Sequence, residues 1–360
     1  MTATAQPFQP TAILVTGGAG FIGTNFVRLI LEESDAKVIV LDALTYAGNL
    51  PNLQGLDASY AGRFTFVEGD ICDATLVAET MSAHAIDTVV HFAAESHVDR
   101  SIDGPGAFIQ TNVMGTYHLL EAFRDQVMMR DVPCRFHHVS TDEVFGSLGD
   151  TGYFDEDTAY DPSSPYSASK AASDHLVRAW HRTFGVPMTL SNCSNNYGAY
   201  QFPEKLIPVM IFKALAEEPL PVYGDGMNVR DWLHVDDHCR AIWEVLRFGR
   251  NGETYTVGGD AEKTNISLVK TLCKLLDGLR PRDNGTSYED LISFVTDRPG
   301  HDRRYAIDAT KLKDELGWKP QFGFADGLEQ TVKWYLDNQE WVQALRDRAQ
   351  NFSRIGLGKN

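Results

Sequence analysis

The chain has 360 residues, 43% hydrophobic and 22% charged, which is the composition of a globular protein too long for one typical core. Its formal net charge of −17 argues against a nucleic-acid partner, because a phosphate backbone needs a basic face. Five cysteines (Cys72, Cys134, Cys193, Cys239, Cys273) are odd in number and never spaced C-x-x-C, which disfavours a disulfide framework or zinc site and points to a reducing cytoplasm.

In chain order, residues 1–10 show no basic stretch leading into an apolar one, and no run of about 18 apolar residues follows. Neither a secretory leader nor a membrane span is expected. Apolar, strand-like runs over 12–16, 37–41, 64–68, 88–92, 135–140 and 188–193 alternate with amphipathic stretches such as 22–33, 107–124 and 166–184. That alternation predicts an α/β fold, a parallel sheet with helices on both faces. From about Tyr197, prolines at 203, 208, 219 and 221 break the pattern and loops lengthen. Residues 233–249 read as helix again and 253–258 as another strand, so a second lobe is interleaved with returns to the first.

The loop Thr16-Gly17-Gly18-Ala19-Gly20-Phe21-Ile22-Gly23 links the first strand to the first helix. Glycines at this spacing permit a tight turn, close approach of a pyrophosphate and helix-to-strand packing, while the helix N-terminus offers free N–H groups. Asp42 ends the second strand, about 20 residues on, where a carboxylate accepts the ribose hydroxyls of NAD and repels the 2′-phosphate of NADP. Asp70 and Ile71, after the third strand, are placed to meet an adenine.

Tyr166 and Lys170 stand at i and i+4 on a helix entered through Ser163-Ser164-Pro165, which puts phenol and ammonium on one face. A phenol is a poor base near neutrality, and an adjacent cation brings its pKa toward working pH. The strand before that helix ends in Ser140-Thr141-Asp142-Glu143, at the carboxyl end where active groups of parallel sheets gather. Two neighbouring carboxyls exceed what a simple alcohol dehydrogenase needs. The histidines at 91, 97, 137, 138, 234 and 238 form no metal-binding pattern, and no metal is expected.

With these residues in place the chain resembles the dTDP-glucose 4,6-dehydratases, a nucleotide-sugar family of the extended short-chain dehydrogenases. The likeness runs through TGGAGFIG (16–23), LTYAGNL (44–50), AAESHVDRSI (93–102), STDEVFG (140–146), YSASKAASDHLV (166–177), SNNYG (194–198), FPEKLIP (202–208), RDWLHVDDH (230–238) and DRPGHDRRYAID (297–308). STDEVFG and DRPGHDRRYAID are specific, whereas the others recur in variants among epimerases and decarboxylases.

The resemblance implies a Rossmann-type, doubly wound NAD domain over 1–196, with returns at about 231–258. A smaller α/β lobe, mainly 197–360, would hold the nucleotide sugar. It implies NAD contacts from Gly17, Gly20, Phe21, Ile22, Gly23, Asp42, Ala43, Leu44, Thr45, Asp70, Ile71, Phe92, Ala93, Ala94, Glu95, Ser96, Thr111, Tyr166, Lys170 and Asn196. Ser96, Thr141 and Asn195 would face the sugar, and Lys205, Leu206, Pro221, Tyr223, Arg230, Asn265, Asp297, Arg298 and His301 the nucleotide. Bidentate arginine contacts suit a pyrophosphate.

The implied reaction is oxidation at sugar C4 with Tyr166 as base, elimination of water across C5 and C6 by Glu143 as base and protonated Asp142 as acid, and return of hydride to C6. A homodimer through the helices near 107–124 and 166–184 is also implied. Two positions depart from the family: Ala43 stands where lysine is expected, and Phe352 where tyrosine is usual. A 4-epimerase or decarboxylase would share the loop and the Tyr/Lys pair but not need the acid pair. A non-catalytic NAD sensor would typically lack Tyr166 and Lys170.

Overall fold

The computed structural model describes residues 7–297 and 301–349. Its strands, in chain order, are β1 (Ala12–Thr16), β2 (Lys37–Asp42), β3 (Phe64–Glu68), β4 (Thr88–His91), β5 (Arg135–Thr141), β6 (Met188–Cys193) and β7 (Asn195–Tyr197). They continue with β8 (Leu220–Tyr223), β9 (Val229–His234), β10 (Thr254–Val257), β11 (Glu262–Thr264) and β12 (Ile292–Val295). One sheet runs β10-β6-β5-β4-β1-β2-β3, parallel throughout. The strand order reverses between β1 and β4, and in open parallel sheets ligands bind outside the strand ends at such a reversal.

Burial on both faces explains why β1 reads as an unbroken apolar run rather than an alternating one. On one face Val27 and Ile30 of the helix Phe21–Glu33 pack with Ile242 and Trp243 of the helix Val235–Phe248. On the other, Leu119, Phe123 and Val177 cover Leu14 and Val89. Each such side chain contributes about 1.5–3 kcal/mol through burial. The smaller lobe holds β11-β9-β7 and the pair β8-β12 around Ile211, Leu272, Leu328 and Tyr335. After β9, the chain returns to the large sheet through Val235–Phe248 and β10.

The helix Pro165–Phe184 starts one residue earlier than its apolar pattern suggests. Ser164 caps it by accepting from Ser167 N at 3.0 Å, and Ser167 Oγ accepts from Ser164 N at 2.9 Å. Two stretches differ from their sequence reading. The amphipathic run 107–124 begins at Pro105 and widens to i→i+5 hydrogen bonding over Ile109–Gly115 and Phe123–Val127. Pro221, expected to break structure, lies inside β8, which pairs only with β12 and so tolerates a missing N–H on its free edge.

Candidate active site

The loop after β1 is shaped by crowding. Gly17 has φ 71°, and a Cβ there would lie 2.7 Å from Ala93 N. A Cβ on Gly23 would collide with the Gly17 carbonyl oxygen and, at 2.8 Å, with Gly18 Cα. Gly20 is different: its Cβ position meets only Gly17 O, at 3.2 Å, and otherwise opens into the cleft. The helix Phe21–Glu33 begins there with no acidic residue in its first turn, so its positive end is turned to the cleft.

Asp42 pins this loop. Its Oδ2 accepts from Ala19 N and its Oδ1 from Leu44 N, both at 2.9 Å, and each oxygen keeps a lone pair for a ligand hydroxyl. The second bond holds Leu44 at φ 48°, set back from the cleft that Asp42, Ala43 and Thr45 line. Asp70 accepts from Cys72 N at 2.8 Å, and Ile71 is buried against Gly115. Phe92, Ala93, Ala94, Glu95, Ser96 and Thr111 form the facing wall. Cradle, helix end and carboxylate together fit a dinucleotide.

The reactive groups converge on the same cleft. Tyr166, 8% exposed, has Lys170 one turn further along, where Lys170 Nζ donates to Val139 O at 2.9 Å. Burial pushes the Tyr166 phenol well up, with the Glu143 charge adding to it and the Thr141 hydroxyl opposing, which is the opposite direction from the lowering expected of an adjacent lysine. Burial lowers the Lys170 pKa, and Asp174 and Cys193 oppose that. Asp142 is 2% exposed, and its Oδ2 has no hydrogen-bond partner. Burial first, and then the Glu143 charge, raise its pKa well above the carboxylate range, against the pull of Arg230. Both effects favour the protonated form of Asp142. Glu143 is half-buried, and its N–H donates to Thr141 Oγ1 at 3.2 Å. One carboxyl holding a proton beside a more open one is the arrangement that acid–base pairing requires.

Asn195 and Asn196 line the same wall. Asn196 Nδ2 donates to Ser194 O at 2.9 Å, while the buried Oδ1 of Asn195 has no partner. Lys205 also lines the cleft, tied to Ser96 O at 2.9 Å.

The other described residues implied for the nucleotide do not line that cleft. Leu206 opens the helix Leu206–Leu215 and Pro221 lies on β8, where Tyr223 faces His301 at a ring separation of 6.3 Å. His301 is hydrogen-bonded to Asp297 at 2.6 Å. Asn265 and Arg230 form a neighbouring group: Asn228 O accepts from Asn265 N, and Asn228 and Arg230 both donate to Asp302 O. Arg230 is buried, stacks 4.2 Å over the Tyr305 ring and acts electrostatically on Asp142. Its charge thus reaches the acid pair as well as the lobe. Arg298 and Phe352 lie outside the described residues.

Sequence reasoning missed Asn112. Its Oδ1 accepts from Glu95 N at 2.8 Å and its Nδ2 donates to Glu95 O and Ser169 Oγ, which fastens the wall 92–96 to the Tyr166 helix. A polar residue on the buried face of an amphipathic helix was the available signal. Glu204, in the cleft beside Lys205, and Tyr305 had none beyond their place in matching motifs.

Residues 14–331 match the family described as GDP-mannose 4,6 dehydratase. The chain belongs to this family. A dTDP-glucose 4,6-dehydratase of Xanthomonas campestris pv. campestris (strain B100) is 61% identical over 347 residues, 95% of this chain and 98% of the relative. Another, from Neisseria meningitidis serogroup B, is 54% identical over 96% of this chain and 99% of its own length. Among solved structures, a Streptomyces venezuelae dTDP-glucose 4,6-dehydratase with NAD bound superposes with a TM-score of 0.85 at 49% identity, covering 93% of this chain and all of the other. A Thermotoga maritima UDP-glucose 4-epimerase superposes at 0.81 with 29% identity, covering 91% of this chain. Dehydratases and epimerases of nucleotide sugars thus share this fold, and the site must separate them.

Proposed function

We propose that this member of the family converts dTDP-D-glucose to dTDP-4-keto-6-deoxy-D-glucose and water. The observation that carries the reading is Asp142, buried with its pKa raised, directly beside half-buried Glu143 and in one cleft with Tyr166. An epimerase has no use for that pair. The full-length relatives at 61% and 54% identity, named for dTDP-glucose, support the choice of nucleotide sugar.

The glycine loop and Asp42 would hold NAD, which would supply hydride-transfer chemistry at the sugar. Tyr166 takes the proton of the C4 hydroxyl, and Thr141 orients that hydroxyl. The ketone formed at C4 acidifies C5–H, and Glu143 takes that proton. Asp142 gives its proton to the C6 hydroxyl, which leaves as water. Glu143 then returns its proton to C5. Ser96 and Asn195 contact the sugar, while Arg230, Asn265, Tyr223 and the loop 297–301 hold the nucleotide, with Arg230 and Arg298 on the diphosphate.

A cytoplasmic reaction is the reading that the five scattered cysteines support; no described helix is long and apolar enough to cross a membrane. A homodimer through the helices 105–130 and 165–184 would cover Ile109, Met114 and Phe184, which are exposed at 50%, 38% and 44%. Light scattering at micromolar protein should give twice the chain mass.

The activity is tested by incubating the protein with dTDP-glucose and catalytic NAD+, then reading the alkaline absorbance of a 4-keto-6-deoxy sugar, with Glu143→Gln alongside. Signal from the wild type and not from the variant is expected. Formation of dTDP-galactose would instead mark an epimerase.

A further inference from the structure

A third carboxylate lies behind the catalytic wall, and the chemistry above leaves it unused. Asp174 is on the Tyr166 helix, one turn beyond Lys170, with a relative exposure of 0%. Its Oδ2 accepts from Ser140 Oγ and Tyr160 OH, both at 2.8 Å, and from Asn192 Nδ2 at 3.4 Å. His138 Nε2 stands 3.1 Å from its Oδ1. The donors thus come from β5, β6 and the segment preceding the helix.

The charged and titratable groups around it are His138, Tyr160, Lys170 and Arg178. Burial pushes His138 down to about 4, so it is neutral at working pH. Arg178 is engaged with Tyr160 OH at 3.0 Å and Thr254 Oγ1 at 3.1 Å. Burial works against the Asp174 charge, yet the adjacent His138 and the Lys170 charge hold its pKa below the usual value. A fully buried anion is costly unless a cation answers it, and Lys170 is the buried cation one turn away.

We propose that Asp174 is a positioning residue: its carboxylate keeps Lys170 protonated beside Tyr166, and so sets the alkaline limit of the pH range in which the pair works. Cβ atoms at i and i+4 lie about 5–6 Å apart, and the two charged ends are taken at a similar separation. Two unit charges at that distance, with an effective dielectric constant of about 20, change each other's pKa by about two units. Removing the anion lets the buried lysine lose its proton at a lower pH.

The inference rests on the dehydratase reading for its kinetic test. The pH profile of kcat/KM is measured for wild type, Asp174→Asn and Asp174→Glu. The Asn variant should approach wild type near pH 6 and fall about a hundredfold below it near pH 9, as a new alkaline limb appears. The Glu variant should move the limb back toward wild type. A deficit equal at every pH would overturn the proposal, since a packing defect alone acts that way.

A stability cycle tests the same pairing without any turnover. Lys170→Met, Asp174→Asn and the double variant are compared by thermal unfolding. The double variant should be less destabilised than the sum of the singles, and should fold even where Asp174→Asn alone does not. Additive losses would overturn the proposal, whereas an inactive wild type with a coupled cycle would refute only the activity assigned above.

Discussion

Replacing Asp142 by asparagine removes a proton donor without changing shape. Asp142 is 2% exposed and its pKa is raised well above the usual carboxylate value, so the native group is taken as a neutral acid. The exchange therefore moves no charge, and stability should change by no more than about 1 kcal/mol. Catalysis should respond far more strongly. Loss of a placed general acid typically costs about 10²–10⁴ in rate, or roughly 3–5 kcal/mol of barrier at about 1.4 kcal/mol per tenfold. Because Tyr166 and Lys170 are untouched, C4 oxidation should survive. Mixing the variant with dTDP-glucose should then raise the reduced-nicotinamide absorbance to a plateau, while water release is slow. Two results would refute the reasoning. One is wild-type kcat. The other is a marked gain in stability at neutral pH, which would mean that the native residue is ionised and repelled by Glu143.

Other consequences concern the cradle and its rim. Gly23→Ala forces a Cβ onto the Gly17 carbonyl and should lower the melting temperature and empty the NAD site together. Gly20→Ala meets only Gly17 O at 3.2 Å, so it should fold normally and lose NAD affinity alone; equal melting losses would contradict this. Burial raises Glu204 to about 7 from 4.5, ahead of the counter-pull of Lys205 and Arg100. A pKa raised in the native state stabilises fully at low pH, and the benefit is lost as pH climbs through about 7. Glu204→Gln should thus gain up to roughly 3 kcal/mol over wild type at about pH 8.5 and little near pH 5, read by chemical denaturation. A gain equal at both pH values would refute the assignment.

Much of the large sheet was legible because its strands are short apolar runs between turn signals. The expected bounds of the first six strands match those observed to within a residue. The glycine loop was legible because crowding at Gly17 and Gly23 leaves glycine no substitute. Other features depended on long-range contacts that local pattern does not encode. The widened turns over Ile109–Gly115 accompany Asn112 turned toward Glu95 and Ser169, partners 17 and 57 residues away. The strand through Pro221 exists because β12, some 70 residues later, pairs with it from one side. Arg230 read as a diphosphate ligand, and its sequence position gave no hint of its stacking on Tyr305 or its effect on Asp142. No local signal marks Asp174, because its donors come from two strands and a loop.

The most direct test of the central claim follows the hydrogen at sugar C4. dTDP-glucose carrying deuterium at C4 is converted by the protein in ordinary water, and the product is examined by nuclear magnetic resonance. Transfer of the deuterium to C6 of a 4-keto-6-deoxy sugar is expected, because the hydride leaves C4 and returns to C6 within one cleft. Deuterium still at C4 of a hexose with an inverted hydroxyl would contradict it, and would mean that Asp142 and Glu143 do not perform an elimination.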